Sequence, residues 1–566
     1  TNKSYITNVA FDGETPNSST SEGVTIWSTD GIQYERNINR NFDRAGLTIV
    51  DGWIKVVNSN IFKNNYYGVA CKATSPLNAS IQIGTDDELN KNKFFHNRYA
   101  IQGLGLDGLN TGKVLIYANE ITGDGTIGIT LEGNNEHKIG YNYIQDQVVG
   151  IVIANSGIND NLTHCNTLIS NENGIFFRGN NEFTQFKYND FINTLTNDVF
   201  IYSFSNTPTS IREFQGVGGD PAENCFKQGS EVVNQIVTIG NALPFTYYVP
   251  DTVLDNSNTC ISGGPIPWCD LNDGCQIPNN YTKLNTPNKS TKQEDCALLK
   301  GSGAEPPRYT TIDYYHFDSL YTYYQNACGT LPVACTQAKE YAALREHAMR
   351  DVTRAYLEAD NWHAAEMFLA SADFEAAKHT LLGLYFRKRN WPATAGIIHS
   401  LPTATEEQRQ FVATQSIALE YAMNPSNLYL SATKDSLLHA IATDEWPAAA
   451  YAKSLLYLIK GEWVDYNLPV LPRETGGRVS ESKTAENIIK VYPNPADHSI
   501  NIENLLPETD IVRVDILNYQ GGLVRSLGKI SNNHRLDISA LNNGTYLLRI
   551  VLSDGTRVNK LVQIIR

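Results

Sequence analysis

The first two hundred residues alternate between apolar and polar positions in short runs that recur at a regular interval. Each run has Asn, one or two apolar residues, a polar turn, Gly, and then a strand of alternating β-branched or aromatic residues. Most steps between equivalent positions are 22 to 24 residues, and four clear copies are NSNIFKNNYYGVACK (58–72), YANEITGDGTIGITLEG (117–133), GYNYIQDQVVGIVIANS (140–156) and THCNTLISNENGIFFRGN (163–180). Short alternating segments broken by Gly and Asn exclude a two-helix repeat and predict strands.

A step of this length matches one coil of a parallel β-helix, in which successive coils stack at a spacing of about 4.8 Å. The apolar pairs of the strands are then predicted to point inward and stack; they are Ile129/Leu131, Ile151/Ile153 and Ile175/Phe177. We predict that Asn amides bond from coil to coil and that Gly supplies corners with positive φ. The predicted Asn column is Asn60, Asn92, Asn119, Asn142, Asn166 and Asn189, and the Gly column is Gly68, Gly128, Gly150 and Gly174.

These repeats resemble the right-handed β-helix family of pectate-lyase-like folds over residues 1–210. Longer steps predict loops inserted at 72–91 and 102–113, and inserted loops commonly carry the function of a solenoid. The first loop contains Asp86, Asp87 and Glu88, which form either a solvated acidic loop or, as the sharper alternative, a ligand or calcium site. The strand-like segment at 6–11 has no polar cap before it, which predicts further coils upstream.

The family that the repeats resemble includes polysaccharide lyases and hydrolases, so catalysis has to be considered. The family's hydrolases imply NTD, DD, GHG and RIK motifs, and the chain has neither GHG nor RIK. Its lyases imply calcium carboxylates and a basic residue on consecutive coils, and no such column is found. His96 and His164 are interpreted as surface or turn histidines. No catalytic residue is therefore assigned, and we lean towards a protein that is not an enzyme.

Seven of the nine cysteines lie between residues 225 and 335. No CxxC pair and no His at zinc spacing accompany them, which favours disulfides in an oxidising compartment over a metal site. The odd total leaves a free thiol, for which Cys71 or Cys165 in the repeat core is the candidate. Residues 211–305 are predicted to be the solenoid end cap and a connector, with a strand at 244–249. The disulfide candidates are Cys225, Cys260, Cys269, Cys275, Cys296, Cys328 and Cys335.

Residues 306–465 change to helical periodicity. One signature recurs, a polar turn followed by Trp and small residues, in ADNWHAAE (359–366), KRNWPATA (388–395) and TDEWPAAA (443–450). It resembles tetratricopeptide-like helical hairpins, although the full consensus is absent. We interpret the region as a compact helical module that packs on the solenoid, with a peptide-binding groove as the alternative.

After a linker at 466–487, residues 488–566 alternate with period two between Gly/Asn turns, which predicts an immunoglobulin-like antiparallel sandwich. VYPNPA, DIS-x-L-x-x-G-x-Y-x-L-x-I and the last strand resemble the type A sorting domain of the type IX secretion system. The resemblance implies export across the outer membrane of a Bacteroidota-type bacterium after recognition by the translocon or its shuttle protein. The matching residues are Pro493, Asn494, Pro495, Ala496, Gly544, Tyr546, Lys560, Leu561 and Val562.

The charge balance narrows the remaining functions. The net charge of −15 disfavours nucleic acid and anionic membranes as partners, and no apolar run reaches the roughly 18 residues of a spanning helix. We therefore expect a secreted, extracellular or cell-surface protein with no cofactor apart from the calcium alternative. A structural or adhesive role is favoured, with glycans or further copies of the chain as partners, including in a surface appendage. A carbohydrate-active enzyme and a passive secretion cargo are the alternatives.

Overall fold

The computed structural model separates the chain into two compact units, Thr1–Asn467 and Leu468–Arg566. The predicted acidic loop at Asp86, Asp87 and Glu88 lies outside the described residues, as do Asn494, Pro495 and four cysteines (Cys260, Cys269, Cys275 and Cys296). The structure describes residues 4–13, 21–85, 90–109, 114–157, 161–203, 209–212, 214–217, 220–221, 224–227, 234–239, 242–243, 245–250, 281–286, 308–329, 332–425, 430–465, 489–493, 496–504, 509–518, 523–542, 544–553 and 557–564.

The first part of the first unit consists of short strands. In chain order they are β1 (Ser4–Thr7), β2 (Ala10–Asp12), β3 (Val24–Trp27), β4 (Asp30–Glu35), β5 (Ile38–Arg40), β6 (Ala45–Val50), β7 (Trp53–Val57), β8 (Ile61–Lys63), β9 (Tyr67–Lys72), β10 (Ser80–Ile83), β11 (Lys93–Phe95), β12 (Tyr99–Leu104), β13 (Val114–Tyr117), β14 (Glu120–Thr122), β15 (Ile127–Glu132), β16 (His137–Gly140), β17 (Tyr143–Gln145), β18 (Val149–Ala154), β19 (Asn161–His164), β20 (Thr167–Ile169), β21 (Asn173–Arg178), β22 (Asn180–Asn181), β23 (Thr184–Lys187), β24 (Asp190–Ile192), β25 (Asn197–Tyr202), β26 (Ser210–Ile211), β27 (Phe214–Val217), β28 (Asp220–Pro221), β29 (Cys225–Lys227), β30 (Asn234–Ile239), β31 (Phe245–Pro250) and β32 (Tyr281–Thr286).

These strands form three parallel sheets that run the length of a solenoid, so the predicted parallel β-helix is confirmed. Sheet A is β1-β4-β7-β10-β13-β16-β19-β23, sheet B is β2-β5-β8-β11-β14-β17-β20-β24-β29, and sheet C is β3-β6-β9-β12-β15-β18-β21-β25-β30. Ile129, Ile151 and Ile175 stack in register on consecutive coils and are fully buried. Sheets B and C continue to β29 and β30, beyond residue 210, and β31 and β32 pair in parallel in a smaller sheet.

The Asn column lies at the corner between sheets A and B, where the main-chain N–H of each Asn bonds to the side-chain oxygen of the Asn on the next coil. Asn142 illustrates the geometry: its Oδ1 accepts from the main-chain N (3.1 Å) and Nδ2 (2.9 Å) of Asn119, one coil earlier. Its Nδ2 donates to Asn166 Oδ1 and to the Ile116 carbonyl, both at 2.9 Å. All six predicted residues are at most 1% exposed. The column also takes in Asn37 and Asn224, and a second amide pair, Asn65–Asn97, lies at the next corner.

The Gly column has a different role from the predicted one. None of Gly68, Gly128, Gly150 and Gly174 has a positive φ, so the prediction of left-handed glycine corners is wrong. These glycines lie inside the strands of sheet C, where a Cβ on Gly128 would meet the Gly150 carbonyl oxygen at 2.6 Å. The left-handed corners between sheets B and C are instead occupied by residues such as Asn64, His96 and Asp146.

The structure decides two interpretations of single residues: which cysteine is free, and whether His164 lies at the surface. Cys71 is a free, buried thiol, whereas Cys165 is disulfide-bonded and is excluded as the free cysteine. Cys328 and Cys335, both disulfide candidates in the sequence, are bonded to each other. His164 is 1% exposed and contacts the Tyr117 hydroxyl at 2.9 Å, so its interpretation as a surface histidine is wrong. Burial lowers the pKa of His164 to about 3, which keeps the ring neutral.

The second part of the first unit is a helical layer. Its helices are α1 (Thr311–Ala327), α2 (Pro332–Glu358), α3 (Trp362–Ser371), α4 (Glu375–Arg387), α5 (Trp391–Ser400), α6 (Glu406–Met423), α7 (Ala432–Ala442) and α8 (Ala448–Lys460). Before two of the three repeated Trp residues the polar turn supplies an N-cap: Asn361 accepts from Ala364 N and Asn390 from Ala393 N, whereas α8 begins at Ala448, after Trp446, with no side-chain cap. Trp362 and Trp391 are then the first residues of α3 and α5.

The second unit contains two antiparallel sheets around its own core. One sheet has the order β33-β34-β37 and the other β36-β35-β38-β39. Ile502, Val514 and Ile550 are fully buried in the shared core. The strands are β33 (Ile489–Tyr492), β34 (Ser499–Asn504), β35 (Ile511–Asn518), β36 (Leu523–Leu527), β37 (Asn533–Asp537), β38 (Gly544–Leu552) and β39 (Arg557–Ile564).

We expect Asn142→Ala to lower the free energy of unfolding of the first unit by about 2–4 kcal/mol, because buried donors and acceptors on two coils lose their partner. Urea denaturation followed by circular dichroism measures the change. Lys63→Ala, on the exposed side of β8, should change stability by less than about 0.5 kcal/mol. Equal effects of the two substitutions would show that the amide column is not a stabilising element.

Candidate functional site

Helix α8 lies on the outer face of sheet C and contacts β9 and β12. Its residues from Ala448 to Tyr457 are all buried, and the run of alanines lets the helix axis approach the sheet closely. The corners after β12 and β15 are Gly105 and Gly133, with φ of +66° and +65°. A Cβ on Gly105 would meet the ring of Tyr451 at 2.7 Å, so a larger residue there would displace α8.

A cluster of buried charges joins α2 to the same two coils. Arg350 Nη2 lies 2.7 Å from Asp107 Oδ1, and its Nε lies 2.8 Å from Glu136 Oε1. Arg354 also pairs with Glu136 and lies 3.4 Å from Asp351. All five side chains are at most 7% exposed. Each charge has an opposite partner, which offsets the cost of removing it from water and fixes the helix against the corner.

Further pairs connect α8 and the segment before it to sheet C. Lys453 Nζ lies 2.6 Å from Glu132 Oε2, with both side chains buried. Arg178 lies 3.3 Å from Glu445, whose carbonyl also accepts from Asn155 Nδ2 at 2.6 Å. The helical layer is therefore attached to several successive coils, and its position is set by the solenoid.

The segment 461–465, which follows α8, forms the other end of the interface between the helical layer and the solenoid. Arg44 Nη1 donates to the Gly461 carbonyl at 2.6 Å, and the Asp465 carboxylate accepts from the hydroxyls of Tyr66 and Tyr67. Lys72 is buried beneath this segment, with Nζ 4.1 Å from the centre of the Trp463 ring. The nearest oxygen in a hydrogen bond to Nζ is Gln102 Oε1 at 3.3 Å. Burial lowers the pKa of Lys72 to about 7.

Between the helical layer and the sheet C corners lies a cavity of about 180 Å³, which we call the cleft. Its solenoid wall includes Asn135, Asn155 and Asn180 on successive coils. Its helical wall includes three acids (Glu346, Glu375 and Glu407), His379 and the aromatic residues Phe411 and Tyr451. The cleft therefore combines neutral amides, carboxylates and aromatic rings, a lining that suits a polar ligand with hydroxyl or amine groups.

The acids of the cleft have few positive partners. Burial raises the pKa of Glu346, whose carboxylate makes no hydrogen bond or ion pair with a described residue. Burial and the neighbouring Glu375 raise the pKa of Glu407. Glu375 accepts from Gln408 Nε2 at 2.9 Å and lies 3.7 Å from His379 Nε2. Burial lowers the pKa of His379 to about 4, so this histidine is neutral near pH 7.

Tyr451 contributes a hydroxyl that has no partner in the described structure. The side chain is 5% exposed, and its ring packs 6.1 Å from Phe411 between centroids. The hydroxyl forms no hydrogen bond with any described residue, although the residue lines the cleft. A tyrosine hydroxyl both donates and accepts, so a ligand oxygen or nitrogen in the cleft would find a hydrogen-bond partner there.

Sequence reasoning missed the cleft, because its acids come from helices and its amides from coils far away in the chain. One signal was available: Gly105–Asp107 and Gly133–Glu136 repeat a glycine followed by an acid on consecutive coils. The predicted Asn column lies at a different corner, between sheets A and B, and stabilises the stacking of the coils.

The predicted sorting residues come together at one edge of the second unit. Ala496 forms a bridge to Ile564, and Gly544 at the start of β38 pairs with the same residue. Tyr546 pairs with Val562, and its hydroxyl donates to the Asn542 carbonyl at 3.1 Å. Leu561 and Lys560 pair with Leu547 and Leu548, and Pro493 follows the end of β33.

Two family models match parts of the chain. Residues 490–565 match the family described as the secretion system C-terminal sorting domain. The second unit is a sorting domain for type IX secretion. The protein is therefore secreted or held at the cell surface, and its sorting domain implies contact with the secretion machinery. Among the described helices, none is long and apolar enough to span a bilayer.

Residues 4–209 match the family described as periplasmic copper-binding protein (NosD), a match that covers most of the solenoid. Within the described ranges, no group of three or more His, Cys, Asp and Glu side chains has a geometry that could hold a metal ion. No curated protein and no solved structure shows significant similarity to the chain.

We expect Arg350→Met to destabilise the first unit by about 3–5 kcal/mol, because Asp107 and Glu136 lose the charge that compensates their burial. Chemical denaturation monitored by tryptophan fluorescence measures this change. Arg409→Met is the matched control: Arg409 pairs with Glu406 at the surface, where such pairs contribute roughly 0–1 kcal/mol. If both variants keep wild-type stability, the charge cluster does not hold α2 on the solenoid.

Replacing Lys72 with Met should change how stability depends on pH. An ordinary lysine pKa is about 10.4, and that of Lys72 is lowered to about 7. Between these values the unfolded chain holds one proton more than the folded chain, so rising pH favours folding of the wild type. Below pH 7 the variant should be more stable by a constant amount, and this advantage should shrink between pH 7 and 10.

Unfolding free energies of both proteins at intervals from pH 6 to 10 test this prediction. Lys63→Met, at an exposed lysine of β8, should differ from the wild type by the same small amount at every pH. If the difference in unfolding free energy between Lys72→Met and the wild type did not change with pH, the lowered pKa of Lys72 would be contradicted.

Proposed function

We propose that this protein is a non-catalytic adhesin, exported by the type IX system, that holds its ligand in the cleft. The observation that carries this proposal is the construction of the cleft itself. One wall is formed by the corners of a stacked solenoid, and the other by helices that buried ion pairs fix to those corners. A site built on two rigid walls is organised before the ligand arrives, which reduces the entropy cost of binding.

Export to the surface agrees with a binding role. The sorting domain is a separate compact unit, each unit has its own buried core, and the described residues that line the cleft all belong to the first unit. Self-association in an extracellular assembly or appendage stays a prediction from the sequence.

A carbohydrate-active enzyme is the second candidate, favoured by the acids of the cleft. Glycoside hydrolysis uses two carboxyl groups, one of them with a raised pKa, and burial raises the pKa of Glu346, which lines the cleft together with Glu375 and Glu407. Release of new reducing ends or unsaturated products from a polysaccharide panel, abolished by Glu346→Gln, would favour the enzyme over the adhesin.

Adhesion is tested with the fluorescently labelled full chain on glycan-coated beads under flow. We expect the wild type to be retained and Ala376→Trp to lose at least tenfold of the bound protein, because Ala376 lines the cleft and an indole would fill it. Ala370→Trp is the matched control, since Ala370 lies on the exposed side of α3 and outside the cleft. Equal retention of Ala376→Trp and wild type, or no retention on any glycan, would refute adhesion through the cleft.

A further inference from the structure

The charges in the cleft do not balance. Glu346, Glu375 and Glu407 contribute three carboxylates, whereas Arg350 is the one permanent cation among the described lining residues. The Arg350 guanidinium already bonds to Asp107 and Glu136. Arg345, the next cation on α2, pairs with Asp318 at 3.0 Å, and its charge, like that of Arg350, acts on Glu346 without forming an ion pair with it. A ligand that brings a positive charge would therefore supply what the cleft lacks.

Hydrogen-bonding groups surround these acids on both walls. The unpartnered hydroxyl of Tyr451 lies on the helical side. On the solenoid side, Asn135 Nδ2 donates to Asp107 and Asn180 Oδ1 accepts from Glu182 N and Ser210 Oγ, which leaves Asn135 Oδ1 and Asn180 Nδ2 for a ligand. Amides and hydroxyls both donate and accept, so they suit the ring hydroxyls of a sugar better than a simple alkylamine.

The size of the cleft limits the ligand. A volume of about 180 Å³ is below the roughly 300–1,000 Å³ of sites for drug-sized molecules. One sugar ring fits this limit better than an oligosaccharide. Phe411 and Tyr451 pack against each other and give the lining of the cleft an apolar part that the C–H groups of a sugar would contact.

We propose that the cleft binds a single hexose ring that carries a protonated amine, with the ammonium group among Glu346, Glu375 and Glu407 and the hydroxyls on Tyr451 and the Asn amides. This inference rests on the proposed binding function and specifies its ligand. It also separates the protein from binders of acidic polysaccharides, because a sugar carboxylate would be repelled by the three acids.

Isothermal titration of the full chain with four small probes tests the assignment. D-glucosamine should bind at least tenfold more tightly than N-acetyl-D-glucosamine, which keeps the ring and loses the charge. D-glucuronate should bind more weakly than both. The fourth probe, Nα-acetyl-lysine methylamide, carries an ammonium on its side chain and has no sugar ring. Tighter binding of this probe than of glucosamine would overturn the sugar assignment.

Two variants distinguish the contribution of the Glu346 charge to binding from that of the Tyr451 hydroxyl. Glu346→Gln should lower glucosamine affinity about tenfold and leave N-acetylglucosamine affinity unchanged, whereas Tyr451→Phe should weaken both amino-sugar probes by about threefold to tenfold. Glu340→Gln, at an exposed position of the same helix, is the matched control. Thermal denaturation shows whether each variant is folded.

The outcomes distinguish this inference from the proposed function. If Ala376→Trp abolishes adhesion but glucosamine binds no more tightly than N-acetylglucosamine, adhesion through the cleft stands and the amino-sugar assignment is overturned. The assignment is overturned in the same way if none of the hexoses binds. If glucosamine binds with the expected preference while Ala376→Trp still adheres, the ligand assignment stands and the cleft is not the adhesive site.

Discussion

The first unit depends on one constraint: every coil must repeat the path of the one below it at the spacing of hydrogen-bonded strands. Three parallel sheets meet this constraint along the coils, and side-chain amides such as those of Asn142 and Asn166 add bonds from coil to coil at the corner between sheets A and B. Because the coils coincide, side chains at the same position stand in columns. The columns of sheet C form the surface on which the helical layer docks, and the cleft is the gap left at its edge.

Much of the solenoid could be predicted from the sequence, because its determinants are local and periodic. The inward pair Ile151/Ile153 and the buried Asn142 follow directly from the repeat. Docking of the helices could not be predicted in this way, since Arg350 is 243 residues from Asp107 and neither stands in a recognisable motif. A partial signal was present in β18: VGIVIA is apolar on both faces, as expected of a strand covered on each side.

The cleft was less predictable than the fold. Its acids belong to three helices and look like ordinary solvent-facing residues in an amphipathic pattern, and only the docking brings them opposite the coil corners. The sorting domain, in contrast, could be predicted from the sequence. Its residues, from Ala496 to Val562, stand in recognisable motifs within one short segment, and strand pairing brings Ala496 and Gly544 to Ile564.

The contacts of segment 461–465 have a consequence for how the first unit comes apart. A bare solenoid interacts only between neighbouring coils, so it can fray one coil at a time from either end. Here Arg44 holds Gly461 and Tyr67 holds Asp465, groups about 400 residues apart in the chain. These bonds close a large loop over the coils that contain Arg44 and Tyr67, so these coils cannot separate from the stack without also releasing segment 461–465. Unfolding of these coils is therefore coupled to release of the helical layer, which restricts fraying in this part of the solenoid.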